Sequence, residues 1–453
     1  MTRSADIIRA LSRRRARQLV REVVPAKETN HASVAHCLEH VLEPSVGTPS
    51  WSSSFTRRAA LRLGLGTAVA VGASISAVGC DGGDRGEKDA VSPRPWRHTI
   101  DSRSMSSPIV AGGVVYILSI RENTEVLDAL DAVTGTEKWA YTTTTSAFLD
   151  PSSPMVADGA VYFGSHAGAL YALNAATGTK NWIFDTSDWS FPLSGGWPFY
   201  SPAVVDGTVY FSAENGVLRA MNAVTGTEKW AADMRGTTFD YRPDVVDGVV
   251  YVNWDEVFHA FDAATGTEKW AVTAASTDHD DHDFISSSPA VVGGTVYFGT
   301  AGGILHALDA ATGTKKWAFT TGDFVRSSPA VADGVVYFGS RDKNVYALDA
   351  ATGAKKWAFT AGDSVHSSPV VVGGSVYVGS DDGKVHALDT ATGTERWAFT
   401  TGGGRIESSL EVAHGLLYFG CTDGHVYAVD AATGAGPTPP APRSTSSGST
   451  GRR

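Results

Sequence analysis

Cysteine is scarce, with three in 453 residues. Cys37 and Cys80 fall near the start and Cys421 stands alone in the remainder, so neither a disulfide framework nor a cysteine-based zinc site can be assembled. Basic residues run short beyond residue 80. Residues 1–80 hold 11 Lys+Arg and 5 Asp+Glu, which leaves 26 basic against 43 acidic residues in 81–453, a charge of about −17 with His neutral. An acidic body repels phosphate backbones, which argues against nucleic-acid partners. The apolar run from Leu63 to Val78 spans 16 residues; a membrane-spanning helix needs about 20. From Trp96 onward no stretch has a helical period, and this excludes a helical architecture. With 42% hydrophobic and 19% charged residues the composition is nonetheless that of a globular protein.

The first part of the chain reads as processing and tethering segments. Residues 1–53 form an extension in which 4–24 have the makings of a basic helix, with a solvated, poorly ordered segment as the alternative. His36 and His40 flank Cys37 at a spacing a metal can use on a helix, but nothing nearby completes a site. Residues 54–80 are more specific. Ser54-Phe55-Thr56-Arg57-Arg58 resembles the twin-arginine export signal of bacteria, and the apolar run follows it directly. The run ends Ser76-Ala77-Val78-Gly79-Cys80, which resembles a lipobox whose cysteine is lipidated, although Ala77 and Val78 depart from the usual pattern. Plain cleavage, a retained anchor or a cytoplasmic protein are the alternatives. A start downstream of Met1 would account for a signal this deep in the chain. Residues 81–95 are polar and rich in Gly, Pro and charge, and read as a flexible tether. Residues 436–453 are low in complexity and read as a disordered tail.

Between these flanks, residues 96–435 repeat. A tag of the form A-x-D-x-x-T-G-x-x-x-W is cleanest at Ala307–Trp317. It recurs with Asp131, Asn174, Asn222, Asp262, Asp309, Asp349, Asp389 and Asp430 at its acidic or amide position. Trp139, Trp182, Trp230, Trp270, Trp317, Trp357 and Trp397 close seven copies, 40 to 48 residues apart, the length of one four-stranded propeller blade. Within one period the strands are short, β-branched or aromatic, and bounded by Gly, Asp or Ser turns. In the tag, Asp or Asn holds a turn by accepting backbone N–H bonds, Gly supplies positive φ, and a small Ala leaves room for a ring. A buried Trp covers roughly 150–250 Å², about 4–6 kcal/mol as an upper bound at ~25 cal/mol per Å². These tryptophans therefore read as structural wedges between blades.

The eighth tag has no Trp, and Trp96-Arg97-His98-Thr99 matches the missing strand. The expectation is an all-β, eight-bladed propeller of four-stranded blades, closed by an N-terminal outer strand and monomeric. The tag resembles the tryptophan-docking motif of the quinoprotein, or PQQ-like, repeat family. That resemblance implies one of two functions. The family includes PQQ-dependent dehydrogenases, which hold a calcium beside the quinone with acidic and amide side chains. It also includes non-catalytic envelope lipoproteins that bind other proteins. No calcium-ligand set can be assigned here, and Cys421 has no neighbouring cysteine of the kind several of those dehydrogenases place against the quinone. The expectation is therefore a membrane-anchored, non-enzymatic scaffold for envelope proteins, without a cofactor. PQQ with calcium, or a small-ligand, metal or glycan sensor, are the alternatives.

Length variation points to one rim. An insertion before the third blade carries Trp189, Phe191, Trp197, Phe199 and Tyr200, suited to protein contacts or to folding down as a local lid. An insertion before the fifth carries His279, Asp280, His282 and Asp283, which suit a divalent metal or a solvated acidic loop. Asp240, Arg242, Arg326, His366 and Glu407, beside the recurrent Ser-Ser-Pro, are expected at the channel mouth, to bind a polar ligand or simply to solvate the funnel. His259, His306 and His386 share a slot with Tyr171, Tyr346 and Tyr427 and read as packing positions.

Overall fold

A computed structural model describes residues 94–437 apart from 123, 145–150, 166–167, 186–200, 214–215, 235–241, 255 and 275–283. Arg57, Arg58 and Cys80, both insertions and Asp240 lie outside the described residues.

The architecture is the expected one. Eight antiparallel sheets follow one another in a ring, and no helix occurs among the described residues. Blades 1 to 7 occupy residues 104–144, 155–185, 203–233, 244–273, 290–320, 330–360 and 370–400. Blade 8 joins residues 411–430 to the N-terminal strand Trp96–Thr99, which pairs with His425–Asp430 so that Trp96 lies opposite Ala428. The innermost strands touch in sequence around the ring, including the last with the first. Each blade places a second and a third strand rich in β-branched and aromatic residues at its centre, both almost wholly buried, and an outer strand whose side chains alternate between exposed and packed.

Two details differ from the sequence expectation. Blade 1 gains a two-residue strand, Ser104–Met105, paired with Ser119 and Ile120 beside its inner strand. The Ser-Ser-Pro text is not part of the inner strands, which begin only after it, as at Ala330–Ala332. Those serines bond outside the ladder, as described below.

The tag turn forms as its chemistry dictates. Asp309 Oδ1 accepts from the backbone N–H of Ala311 and Thr312 and from the Thr312 hydroxyl, each at 3.1 Å. The tag glycine has a second role. Gly135 has φ 70°, and a Cβ there would lie 2.5 Å from the Trp96 ring. Each tag glycine is thus the seat for the preceding blade's Trp, from Trp96 on Gly135 around to Trp397 on Gly434. The same Trp sends its indole N–H to a carbonyl of the next blade's tag, as in Trp96 Nε1 to Ala132 O at 2.9 Å. A second-strand tyrosine shares that acceptor, Tyr418 Oη to Ala132 O at 2.9 Å. The tag Ala lies between the two rings across the sheet, Tyr116 and Trp139 flanking Ala129 with ring centroids 5.8 Å apart. The wedges are less buried than a core Trp. Trp96 and Trp357 are each 8% exposed, whereas the other docking tryptophans are half-buried. Their individual contributions therefore fall below the full-burial figure.

Candidate functional site

The tag turns share a rim with the hairpins between first and second strands, as the Ala132 N–H bond to Gly113 O shows. The inter-blade loops share the other rim with the hairpins between second and third strands, tied by bonds such as Arg341 N to Phe324 O. The first rim is given over to holding the ring. The second carries the irregular chain and leads into the channel.

A serine belt encircles the channel at that rim. Ser107 N donates to Ser153 Oγ, Ser153 N to Ser201 Oγ, Ser288 N to Ser328 Oγ, Ser328 N to Ser368 Oγ, Ser368 N to Ser409 Oγ and Ser409 N back to Ser107 Oγ, at 2.8 to 3.4 Å. Each bond joins adjacent blades, and this is why these serines stand outside the strands. Blade 4 alone replaces the belt serine, with Arg242. Arg242 keeps the backbone link, donating N–H to Ser288 Oγ at 3.0 Å, but offers no hydroxyl to Ser201. Its side chain instead reaches the channel, where Nη1 lies 3.5 Å from Met155 Sδ in blade 2.

The inner strands begin with Ile109, Met155, Ala203, Asp244, Ala290, Ala330, Val370 and Glu411. Six of these are apolar; the two carboxylates belong to blades 4 and 8, on opposite sides of the ring. Asp244 Oδ2 accepts from Val291 N at 2.9 Å. Burial raises the pKa of both carboxyls, to about 8 for Glu411, while the Arg242 charge pulls both the other way. Sequence reading passed over Asp244 and Glu411. The signal for them was a charge in a strand position that is apolar in every other repeat.

The predicted mouth residues separate. Arg242 lies on the belt of blade 4, while Arg326, His366 and Glu407 hold the equivalent position, one before the two serines, in blades 6, 7 and 8. Their neighbours fix that orientation. Val325, Val365 and Ile406 are fully buried against Gly299, Gly339 and Gly379 of the preceding blade, where no side chain fits, and the residue after each is less buried, Arg326 and Glu407 being exposed and His366 partly so. Ligand atoms of His366, Asp381 and Glu407 lie within 4.8 Å of one another. His366 Nδ1 is 3.6 Å from Asp381 Oδ1, and Arg405 Nη1 is 3.6 Å from Glu407 Oε1. Burial lowers the His366 pKa, and the charges of Arg326, Arg341 and Arg405 add to this against the pull of Glu407. Burial raises the pKa of Asp381 against the pull of Arg405 and Arg341. Asp381 was also missed by sequence; it occupies a hairpin position held by Arg341 in blade 6 and Thr422 in blade 8.

Cys421 lines a half-open recess of about 180 Å³ between blades 8 and 1, together with Met105, Ser107, Arg405 and Glu407. Its thiol is buried, and burial pushes its pKa up to about 11, so it is no nucleophile. His259, His306 and His386 are buried; His306 stacks on Phe298 with centroids 5.2 Å apart, and His386 Nδ1 lies 2.7 Å from Glu395 Oε1.

Ring, belt and docked tryptophans define an eight-bladed propeller of PQQ-like repeats. The chain belongs to the family described as "Outer membrane protein assembly factor BamB", which it matches over residues 39–188, 182–322, 255–367 and 304–449. No curated protein matches it. Among solved structures it is similar to BamB from Moraxella catarrhalis, at 20% identity and TM-score 0.58 over 74% of this chain and 98% of that one. It is also similar to the quinohemoprotein alcohol dehydrogenase of Comamonas testosteroni, at 17% identity and TM-score 0.61 over 77% and 78%. The computationally designed Ika8 protein is comparable, at 17% and 0.61 over 73% and 96%. At these identities the likeness concerns the fold.

Proposed function

We propose that this chain is a non-enzymatic scaffold of the cell envelope that binds protein partners through the rim opposite the tag turns. Membership of the BamB family carries the reading. The division of labour between the rims supports it: one rim is spent on docking, while the other carries the inter-blade loops and exposes Arg326, Arg341 and Arg405. The strands flanking the two insertions, ending at Asp185 and Thr273, run toward that second rim. The described donors fit a calcium-bound quinone poorly. Calcium takes six to eight oxygen ligands, whereas the His366 group offers one nitrogen and two carboxylates beside arginines, and Asp244 and Glu411 stand on opposite blades.

The test is capture from envelope extract with the full chain. A specific partner is expected with the wild type and is expected to fall at least fivefold with Trp189→Ala plus Trp197→Ala. PQQ- and Ca²⁺-dependent dye reduction with an alcohol or sugar would overturn the non-enzymatic reading.

Anchoring is proposed to rest on a lipid attached to Cys80, behind the export signal at Arg57 and Arg58. Growth with a radiolabelled fatty acid is expected to label the wild type and leave Cys80→Ser unlabelled and released from membranes. Equal labelling of both would remove the anchor from this proposal.

A further inference from the structure

The last three complete blades are close copies of one another, so a residue that breaks the repeat near the channel stands out. At the junction of blades 6 and 7 the three rim positions hold Arg326, Arg341 and His366. At the junction of blades 7 and 8 the same positions hold His366, Asp381 and Glu407. Only the second junction collects one imidazole and two carboxylates, with ligand atoms within 4.8 Å of one another.

A second observation concerns Asp381 itself. Its side chain is 8% exposed, and Oδ1 has no hydrogen-bond partner although it is buried. The Nε2 atom of His366 is likewise buried without a partner. A buried carboxylate oxygen without a donor costs free energy unless something compensates it. The 3.6 Å between His366 Nδ1 and Asp381 Oδ1 is too long for a hydrogen bond. It is close to the roughly 3.3 Å that separates two ligands on a tetrahedral ion with bonds of about 2.0 Å.

We propose that His366, Asp381 and Glu407 bind one divalent cation of the borderline class that accepts imidazole and carboxylate together, of which Zn²⁺ is the type. Calcium and magnesium suit the group less, because they take oxygen ligands and in greater number. Three protein ligands would leave one position of a four-coordinate ion for water or another ligand, and Glu407, the third of them, is exposed. Arg326, Arg341 and Arg405 oppose a cation in this neighbourhood, but all three are exposed and therefore screened. Glu407 must give up its 3.6 Å approach to Arg405 to complete the set, a small loss for an exposed pair. The site stands on its own residues and is independent of the scaffold reading.

The test is isothermal titration of the metal-stripped full chain with ZnCl₂. One equivalent is expected to bind to the wild type and at least tenfold more weakly to His366→Ala and to Asp381→Asn. A variant carrying His279→Ala and His282→Ala is expected to retain that binding, which separates this site from the histidine-bearing insertion. Asp381→Asn keeps the shape and removes only charge, so circular dichroism should match the wild type. No stoichiometric binding to the wild type, or undiminished binding to Asp381→Asn, would overturn the proposal.

Discussion

Replacing Trp96 with Ala is expected to lower the free energy of unfolding by about 3–5 kcal/mol, the usual range for removing a large buried aromatic. The ring is buried, sits on Gly135 of blade 1, and donates its indole N–H to Ala132 O at 2.9 Å. It also packs against Tyr418, which shares the Ala132 carbonyl. The other docking tryptophans sit in the middle of the chain, where covalent connections hold both blades if one wedge fails. Trp96 instead begins a four-residue strand that blade 8 borrows from the far end of the sequence. Without its anchor that strand loses more than a wedge. Release would expose the unpaired edge of His425–Asp430, a template for edge-to-edge association. Trp96→Ala is therefore expected to show a lower urea midpoint and concentration-dependent dimers by light scattering. Trp139→Ala, at a half-buried wedge inside the chain, should lose about 2 kcal/mol and stay monomeric. Equal losses and two monomers would mean that Trp96 does not close the ring.

The ring was legible because its determinants are local and repeated. Asp309, Thr312 and Gly313 state one turn, and copying that turn eight times states the ring. Even the closing strand could be placed, since Trp96 supplies what the eighth tag lacks. The glycine's role as a seat for the neighbouring indole was not legible, because its partner lies a whole blade away in sequence, as with Gly353 and Trp317. The serine belt escaped for the same reason: Ser-Ser-Pro reads as strand text until its hydroxyls meet the next blade's N–H groups. Charges in the tyrosine slot of the third strand were also unreadable alone. Asp128 and Arg219 are buried there, and each brings a partner from an adjoining strand, Arg121 and Glu228. As for the candidate site, His366 and Glu407 could be chosen from their place in the repeat. Asp381 belongs to a different loop, and only the ring brings it to them.

Glu411→Gln is expected to stabilise the protein at alkaline pH and to do nothing in acid. The Glu411 carboxyl lines a channel whose other inner-strand openings are apolar except Asp244, and burial raises its pKa from 4.5 to about 8. Between those values the folded protein keeps a proton that the unfolded chain has released. Stability must then fall as pH rises through that window, with no penalty below about 4.5 and the full penalty above about 8. At roughly 1.36 kcal/mol per unit the whole shift would cost several kcal/mol; Glu411 is only partly buried, and solvent screening reduces this to about 2 kcal/mol. Glutamine cannot ionise, so it escapes the penalty. Urea midpoints should coincide for wild type and variant at pH 4 and diverge in favour of the variant at pH 9. Arg242 sharpens the test, because its charge is the one attraction that lowers the Glu411 pKa. In an Arg242→Gln background the carboxyl should be harder still to ionise, so the advantage of Glu411→Gln at pH 9 should grow. If Glu411→Gln is instead the less stable protein at pH 9, the carboxylate is ionised and paired with Arg242. The channel would then hold a working ion pair rather than a neutral acid opposite an unmatched arginine.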